Sequence, residues 1–433
     1  MDIVATFGHM ISSTVKEHPR SARRLLLAGY AAQQGMLRAH PTSYLPPSRQ
    51  YIAQTTMRSV RSALAHPQSA AAVSLFTPCE PLHALGITPC SVETLSAFLA
   101  GTKCEQYFLH LAEQEGFPNT LCSYHRIFLG ALRSGLVPAP ALAIYTTIAC
   151  DGNMITFSDI HEHLHVPTFC IDVPYERSDD AVHEVAQQIK AMVEFIQDAT
   201  GQTITHDQLC SSVVATQHTA ASYMHALRQQ KGRRLASDVT TEMYTVLGNH
   251  IFLGSPQAER FAHMLDDDMK SAPQSDARRL LWMHLMPNMH EPVIERLDNN
   301  DHAFITACDL ATDGFDLSID PSHPYEAMAR RLVYSSFNGS SDLRIQRALA
   351  LAEETDAQGA ILFAHWGCKS TIGAAYLIQK QLEDAGLPCL VLDGDGCDRT
   401  NNNDGQTATR LDAFFEQIDA KRSNTHTGKE HYA

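Results

Sequence analysis

The stretch from Ala360 to Glu416 decides the fold, and it reads AILFAHWGCKSTIGAAYLIQKQLEDAGLPCLVLDGDGCDRTNNNDGQTATRLDAFFE. Its first five residues form an apolar run of strand length. Apolar residues at helical spacing follow, from about Ser370 to Ala385. Gly386 and Pro388 are residue types that end a helix, and a second apolar run then covers Cys389–Leu392. This order predicts a β-α-β unit.

Chemically reactive side chains follow the first of these strands directly. His365, Cys368 and Lys369 stand just past its carboxyl end. Ligands bind at that edge in open parallel sheets. The sequence therefore places a thiol, flanked by an imidazole and an amine, at an edge where binding sites form.

Length and charge exclude several classes of protein. The chain has 433 residues, which is enough for two or three domains, and a formal net charge of -15. This acidity argues against nucleic acid and anionic membranes as partners. No apolar span reaches the length of a transmembrane helix, and the first 30 residues lack a signal-peptide core. We therefore expect a cytoplasmic protein with no membrane partner.

Cysteine is the residue type that carries most information here. The chain has 11 cysteines and no CxxC pair. In a cytoplasmic protein they are not expected to form disulfides. They are therefore either small buried hydrophobes or metal ligands, and any metal site has to be assembled from distant loops.

The rest of the chain alternates strand and helix patterns, which is typical of parallel α/β domains. We expect two α/β lobes joined by a helical segment and preceded by a helical N-terminal extension. The expected divisions are 1–70 for the extension, 71–177 for the first lobe, 178–275 for the helical segment, 276–420 for the second lobe and 421–433 for a polar, disordered tail.

Three cysteines share one setting at the lobe edges. Cys122 begins a predicted helix, Cys150 follows a predicted strand in the same lobe, and Cys368 belongs to the second lobe. They can therefore meet in the cleft between the lobes. Three thiolates hold a 4Fe–4S cluster that leaves one iron without a cysteine, and an open iron binds water, hydroxide or substrate. The alternative for each cysteine is a buried structural role.

Five ordered segments carry a resemblance to a known family. They are TPCEPLHALGITPCSVE, LCSYHRIFLGALRSG, IACDGN, HWGCK and DGDGCDRTNNNDGQTATRLDAFFE. Together, over roughly residues 71–416, they resemble the 2-hydroxyacyl-CoA dehydratase family, whose relatives include subunits of benzoyl-CoA-reductase-type enzymes. The resemblance implies two Rossmann-like lobes and a helical part, with a 4Fe–4S cluster between the lobes. It also implies Cys122, Cys150 and Cys368 as the cluster ligands.

The resemblance further implies a lyase with a radical mechanism. Such enzymes dehydrate an (R)-2-hydroxyacyl-CoA to the 2-enoyl-CoA through a ketyl radical. They are oxygen-sensitive and belong to anaerobic metabolism. One electron comes from a separate ATP-hydrolysing iron–sulfur activator protein. The implied partners are therefore this activator, the acyl-CoA substrate, and either a homologous second subunit or a second copy of the chain in a homodimer.

Two residues are candidates for catalysis. Glu93 follows a predicted strand of the first lobe and corresponds to an acidic position after the family's G-x-x-P segment, so we expect it to face the cleft. His365 is expected to hydrogen-bond a cluster sulfur or the thioester oxygen. The alternatives are a solvated glutamate and a histidine that caps its strand.

Several alternatives stay open at this point. A double-cubane 8Fe–9S cluster needs about six cysteine ligands, and Cys79 and Cys397 lie beside the cleft segments. A benzoyl-CoA-reductase-type enzyme and a non-catalytic companion subunit are the other two alternatives. The segment LMPNMHEP replaces a glycine-rich turn of many relatives, so the CoA contacts are not assigned. The sequence does not determine the acyl group.

Overall fold

The computed structural model describes residues 2–430, with side chains up to residue 423. Three helices open the chain: α1 (Ile3–Val15), α2 (Pro19–Ala39) and α3 (Pro47–Ala65). Helix α2 buries Ala22, Leu26 and Tyr30 at helical spacing. Helix α3 packs against the first sheet and against later helices of the chain. The N-terminal extension is therefore part of the body of this protein.

The first lobe is a four-stranded parallel sheet with helices around it. Its strands are β1 (Ala70–Val73), β2 (Thr88–Ser91), β3 (Leu142–Thr146) and β4 (Thr168–Ile171), in the spatial order β2-β1-β3-β4. Its helices are α4 (Glu80–Ala84), α5 (Val92–Gly101), α6 (Glu105–Gln114), α7 (Ser123–Arg133) and α8 (Gly152–Leu164). Both β1 and β3 are buried along their whole length, which explains their largely apolar sequences.

A helical segment links the two lobes, as the sequence predicts. It contains α9 (Asp179–Thr200), α10 (His206–Arg228), α11 (Val239–Ile251) and α12 (Pro256–Lys270). Thr205 and Gln208 form a capping box at the start of α10. Gly201 ends α9 with a φ of +68°, a conformation that glycine adopts without steric cost. Helices α10 and α12 pack against each other.

The second lobe repeats the design of the first. Its strands are β5 (Arg278–Met283), β6 (Ala303–Cys308), β7 (Gly359–His365) and β8 (Cys389–Gly394), all parallel, in the order β6-β5-β7-β8. Its helices are α13 (Glu291–Leu297), α14 (Pro324–Val333), α15 (Ser341–Thr355), α16 (Lys369–Asp384) and α17 (Asp404–Glu430). Two short 3₁₀ turns, Pro67–Ser69 and Leu310–Thr312, precede β1 and follow β6.

Both sheets share one topology, because each has its second strand beside its first and its third strand on the other side of the first. The order of strands reverses between the first and third strands, and ligands bind at such switch points. Cys150 follows the third strand of one sheet, and Cys368 follows the third strand of the other. The α/β fold with two parallel sheets and a helical N-terminal region is thus confirmed.

Two details differ from the expectations. Glu93 does not end a strand, since it lies in the first turn of α5, whose N-cap Ser91 accepts a hydrogen bond from the Thr94 N–H at 3.0 Å. The tail expected to be disordered from residue 421 is helical as far as Glu430, and 431–433 lie outside the described residues. Within the part of the chain described, no helix is long and apolar enough to cross a membrane.

Candidate functional site

The three cysteines line one cavity between the lobes. Cys122 is the N-cap of α7, Cys150 lies in the turn between β3 and α8, and Cys368 is the N-cap of α16. The cavity encloses about 70 Å³. Its wall is largely apolar, with Leu75, Phe76, Leu285, Leu310 and Phe337 around the thiols. The fold therefore collects three thiols from distant loops in a mostly water-excluding space.

Each of the three thiols has a histidine beside it. His365 Nε2 lies 3.2 Å from Cys122 Sγ, and His125 Nε2 lies 3.1 Å from Cys150 Sγ. His284 Nε2 lies 3.3 Å from Cys368 Sγ. An imidazole N–H is a hydrogen-bond donor to sulfur, and it stabilises the thiolate form that binds metal.

Glu93 faces the same cavity and is almost fully buried. Burial raises the pKa of its carboxyl to about 7, against the opposing effect of hydrogen bonds from its own backbone N–H and from Ser91. Its Oε2 has no hydrogen-bond partner among the described residues. A carboxyl group with a pKa near neutrality is suited to accept or donate a proton.

A second layer of polar contacts holds the second-lobe side of the cavity. Asp309, at the end of β6, accepts hydrogen bonds from the His284 N–H at 2.9 Å and from Arg344 Nε at 2.7 Å. Arg344 also donates to Thr371 Oγ1 at 3.1 Å, and Thr371 Oγ1 lies 3.5 Å from Cys368 Sγ. These contacts fix the loop after β5 relative to the start of α16.

A buried carboxylate joins the two lobes next to Cys122. Asp395, in the loop after β8, accepts hydrogen bonds from the Ser123 hydroxyl of the first lobe and from the Cys397 and Asp398 N–H groups, both at 2.9 Å. His290 binds the backbone oxygen of Asp395 at 2.8 Å. The residues that the sequence marks as a polar loop therefore order this loop against helix α7.

The three thiols lie too far apart to be grouped around one metal ion. Among residues 2–423, no three His, Cys, Asp or Glu side chains are grouped so as to hold one metal ion. Cluster ligands instead surround a group of several atoms. Burial raises the pKa of the Cys122 thiol well above its ordinary value, and Cys150 and Cys368 add to the rise. Three neighbouring thiolates therefore need a cationic centre between them, and binding it releases protons.

Sequence reasoning missed two of the three histidines. His125 lies one helical turn after Cys122, and His284 directly follows β5. The position of His284 at the carboxyl end of a buried strand is a signal that was available from the sequence. The pairing of His125 with Cys150 was not, because it depends on how α7 packs against α8.

Most of the sequence is similar to proteins of one family. A sequence model of the family described as "2-hydroxyglutaryl-CoA dehydratase, D-component" matches residues 74–418. The alpha subunit of (R)-phenyllactyl-CoA dehydratase from Clostridium sporogenes is 20% identical over 80% of this chain and 88% of its own length.

Two further relatives cover somewhat less of the chain. The alpha subunit of (R)-2-hydroxyglutaryl-CoA dehydratase from Acidaminococcus fermentans is 20% identical over 66% of this chain and 62% of its own length. A benzoyl-CoA reductase subunit from Thauera aromatica is 19% identical over 72% of this chain and 80% of its own length. Since the family model spans most of the sequence, this chain belongs to the 2-hydroxyglutaryl-CoA dehydratase D-component family.

Proposed function

We propose that this chain is the cluster-bearing subunit of a cytoplasmic lyase that dehydrates an (R)-2-hydroxyacyl-CoA to the 2-enoyl-CoA. The observation that carries the proposal is the meeting of Cys122, Cys150 and Cys368 with Glu93 around one apolar cavity. Family membership supports the reaction type, since two of its relatives are named as dehydratase subunits for 2-hydroxyacyl-CoA substrates.

The chemical difficulty of this reaction explains the need for a metal centre. The β-hydrogen of the substrate is not acidic, and its 2-hydroxyl is a poor leaving group. When bound, a 4Fe–4S cluster held by three cysteines supplies one-electron chemistry and an open Lewis-acidic iron. We propose that one electron, furnished by an ATP-hydrolysing iron–sulfur activator protein, converts the thioester carbonyl into a ketyl radical. The ketyl radical expels the 2-hydroxyl as hydroxide, and the radical that remains has an acidic β-hydrogen.

The residues of the chain then have distinct tasks. Glu93, in its ionised form, accepts the β-proton, so that one hydroxide and one proton leave the substrate. The electron added at the start leaves the product and serves the next turnover, so the reaction involves no net oxidation or reduction. The apolar wall excludes water, which strengthens electrostatic interactions in the cavity. His365 has both ring nitrogens engaged, because Nδ1 accepts a hydrogen bond from the Gly396 N–H at 2.9 Å. Its proposed task is therefore to hold Cys122.

The names of the relatives are the basis for proposing partner subunits for this chain. All three are subunits of larger enzymes. We propose that this chain likewise assembles with a homologous subunit or with a second copy of itself.

A reductase is the second candidate function, favoured by the likeness to a benzoyl-CoA reductase subunit. A double-cubane reductase requires about twice as many irons as a single cluster. The cavity wall contains three cysteines, which favours a single 4Fe–4S cluster. A companion subunit without a cluster of its own is the remaining alternative.

Iron and acid-labile sulfide per chain, measured on anaerobically purified protein, test these alternatives. We expect about four irons, lost in each of Cys122→Ala, Cys150→Ala and Cys368→Ala. Cys210→Ala on helix α10 is the matched control and keeps its iron. About eight irons favour the double-cubane reductase, and no iron in the wild type overturns the catalytic assignment.

A further inference from the structure

The wall of the thiol-lined cavity has two kinds of surface. The thiols and their histidines form the reactive part. The other part consists of apolar side chains that come from four separate connections of the fold. Leu75 and Phe76 follow β1, Leu285 follows β5, Leu310 follows β6, and Phe337 follows α14. These five side chains are the apolar wall.

Two aromatic rings are the most accessible members of the apolar wall. The ring centroids of Phe76 and Phe337 lie 5.4 Å apart, and the ring planes are inclined at 46°. Both rings are half-buried, whereas each of the three leucines is at most 7% exposed. An apolar ligand group that covers the rings removes their surface from water, which favours binding.

Positive charge is missing from the cavity wall. Among the described residues that line the cavity, none is a lysine or an arginine, and the one carboxyl group belongs to Glu93. Arg344 touches the wall without lining the cavity, since its guanidinium carbon lies 4.6 Å from the centroid of the Phe337 ring. Its Nε donates to the Asp309 carboxylate at 2.7 Å. Its Nη2 has no hydrogen-bond partner within residues 2–423 but has almost no accessible surface.

A negatively charged acyl group therefore has no cation to pair with in this cavity. Removing a carboxylate from water strongly disfavours binding unless a cation or several hydrogen bonds compensate for the lost hydration. Glu93 gives no attraction in either protonation state, because its carboxyl is neutral or negative. An apolar acyl group loses no such hydration and gains the contact with the two rings.

We propose that the acyl side chain of the substrate is uncharged and apolar and packs against Phe76 and Phe337, which makes these two rings specificity-determining residues. The inference rests on the proposed function, because it takes an acyl-CoA as the ligand of this cavity. It excludes a 2-hydroxydicarboxylic acid, whose second carboxylate would be buried unpaired. Sequence similarity does not make this choice, since the phenyllactyl-CoA and 2-hydroxyglutaryl-CoA dehydratase subunits are both 20% identical to this chain.

Binding of two CoA thioesters of equal shape to the cluster-loaded protein tests the proposal without any activator. (R)-2-Hydroxyglutaryl-CoA ends in a carboxylate, and (R)-2-hydroxy-5-methylhexanoyl-CoA ends in an isopropyl group at the same position. Calorimetry under anaerobic conditions measures both affinities. We expect the wild type to bind the isopropyl compound about 100-fold more tightly, because the carboxylate loses its hydration without gaining a partner.

Substitutions of Phe76 locate this preference in the apolar wall. Phe76→Arg brings a cation to the wall. We expect it to keep its iron, to bind the carboxylate compound about tenfold more tightly than the wild type does, and to bind the isopropyl compound about tenfold more weakly. Phe76→Leu stays apolar and should keep the preference. Phe195→Arg, on α9 and outside the cavity, is the matched control and should leave both affinities unchanged.

Two results overturn the inference. One is a wild type that binds the carboxylate compound as tightly as the isopropyl compound, or more tightly. The other is an unchanged preference in iron-loaded Phe76→Arg. If Phe76→Arg loads no iron, Phe76→Ala takes its place: it should bind the isopropyl compound about tenfold more weakly and the carboxylate compound as before, and an unchanged preference overturns the inference. A wild type that loads no iron, or that binds neither thioester, instead counts against the proposed function.

Discussion

Gly367 and Cys122 lie backbone to backbone across the two lobes. A Cβ atom on Gly367 would come within 2.6 Å of both Cα and N of Cys122, and Gly367 has a φ of +82°. Only glycine permits this approach without strain. The loop that carries Cys368 therefore reaches the N-terminus of α7 because residue 367 lacks a side chain.

Gly367→Ala is expected to destabilise the protein by about 2 kcal/mol or more and to remove most of its iron, because the contact is with backbone that cannot move aside. Anaerobic iron analysis and urea unfolding measure both effects. Gly373→Ala, in α16 with nothing within 4 Å of the added Cβ, is the control and is expected to stabilise by about 0.5–1 kcal/mol. Equal iron content and equal stability of the two variants would contradict the prediction.

Glu93→Gln is expected to lower kcat by about 100-fold or more at pH 8, with unchanged iron content, because it removes the proposed proton acceptor. In the wild type, the base works only when ionised, and its pKa is about 7. The rate should therefore fall as the pH drops below 7. Measuring kcat in the presence of the activator protein between pH 6 and 8.5 tests this. Glu115→Gln, at a surface ion pair with Arg133, serves as control, and a flat profile for the wild type argues against Glu93 as the base.

The same carboxyl is expected to affect stability in the metal-free protein. Its pKa is raised from 4.5 to about 7 on folding, so the folded state favours the protonated form. The stabilisation that the Glu93 carboxyl gives the folded state is therefore fully present below pH 4.5 and is lost as the pH rises to 7. Glu93→Gln, which cannot ionise, should gain stability relative to the wild type over this range, by about 3 kcal/mol at pH 8. Urea unfolding under reducing, metal-free conditions measures the difference, which should not stay constant with pH.

His365→Phe is expected to lower the reduction potential of the bound cluster, because it removes the N–H donor 3.2 Å from Cys122 Sγ. Hydrogen bonds to cluster sulfur raise the potential. A hydrogen bond to a charged group contributes about 1.5–3 kcal/mol, so the expected shift is on the order of 65–130 mV for one electron. EPR-monitored titration measures it. His365→Gln should shift the potential less. His83→Gln, whose ring contacts the Ile251 oxygen, should shift it not at all.

The order and type of the strands were predictable because the signals are local. Strands such as β1, β3 and β7 coincide with apolar runs bounded by helix-ending or polar residues, whereas β2, with the sequence TPCS, has no such run. Their parallel pairing follows from the alternation with helices. The position of Glu93 was predicted less well. Ser91 caps α5, so the chain is already helical at Glu93. The strand pattern did not show this, because serine and threonine occur both at strand ends and at helix caps.

By itself, the sequence determined the two α/β lobes, the helical parts and the placing of three cysteines at lobe edges. Those features depend on periodicity, capping and strand order, which act over a few residues. Only the tertiary structure decided that each thiol has a histidine beside it, and that, of these three histidines, His284 keeps an unused nitrogen. Such contacts join residues far apart in the chain, so they depend on how the lobes pack and on which buried polar atoms find a partner.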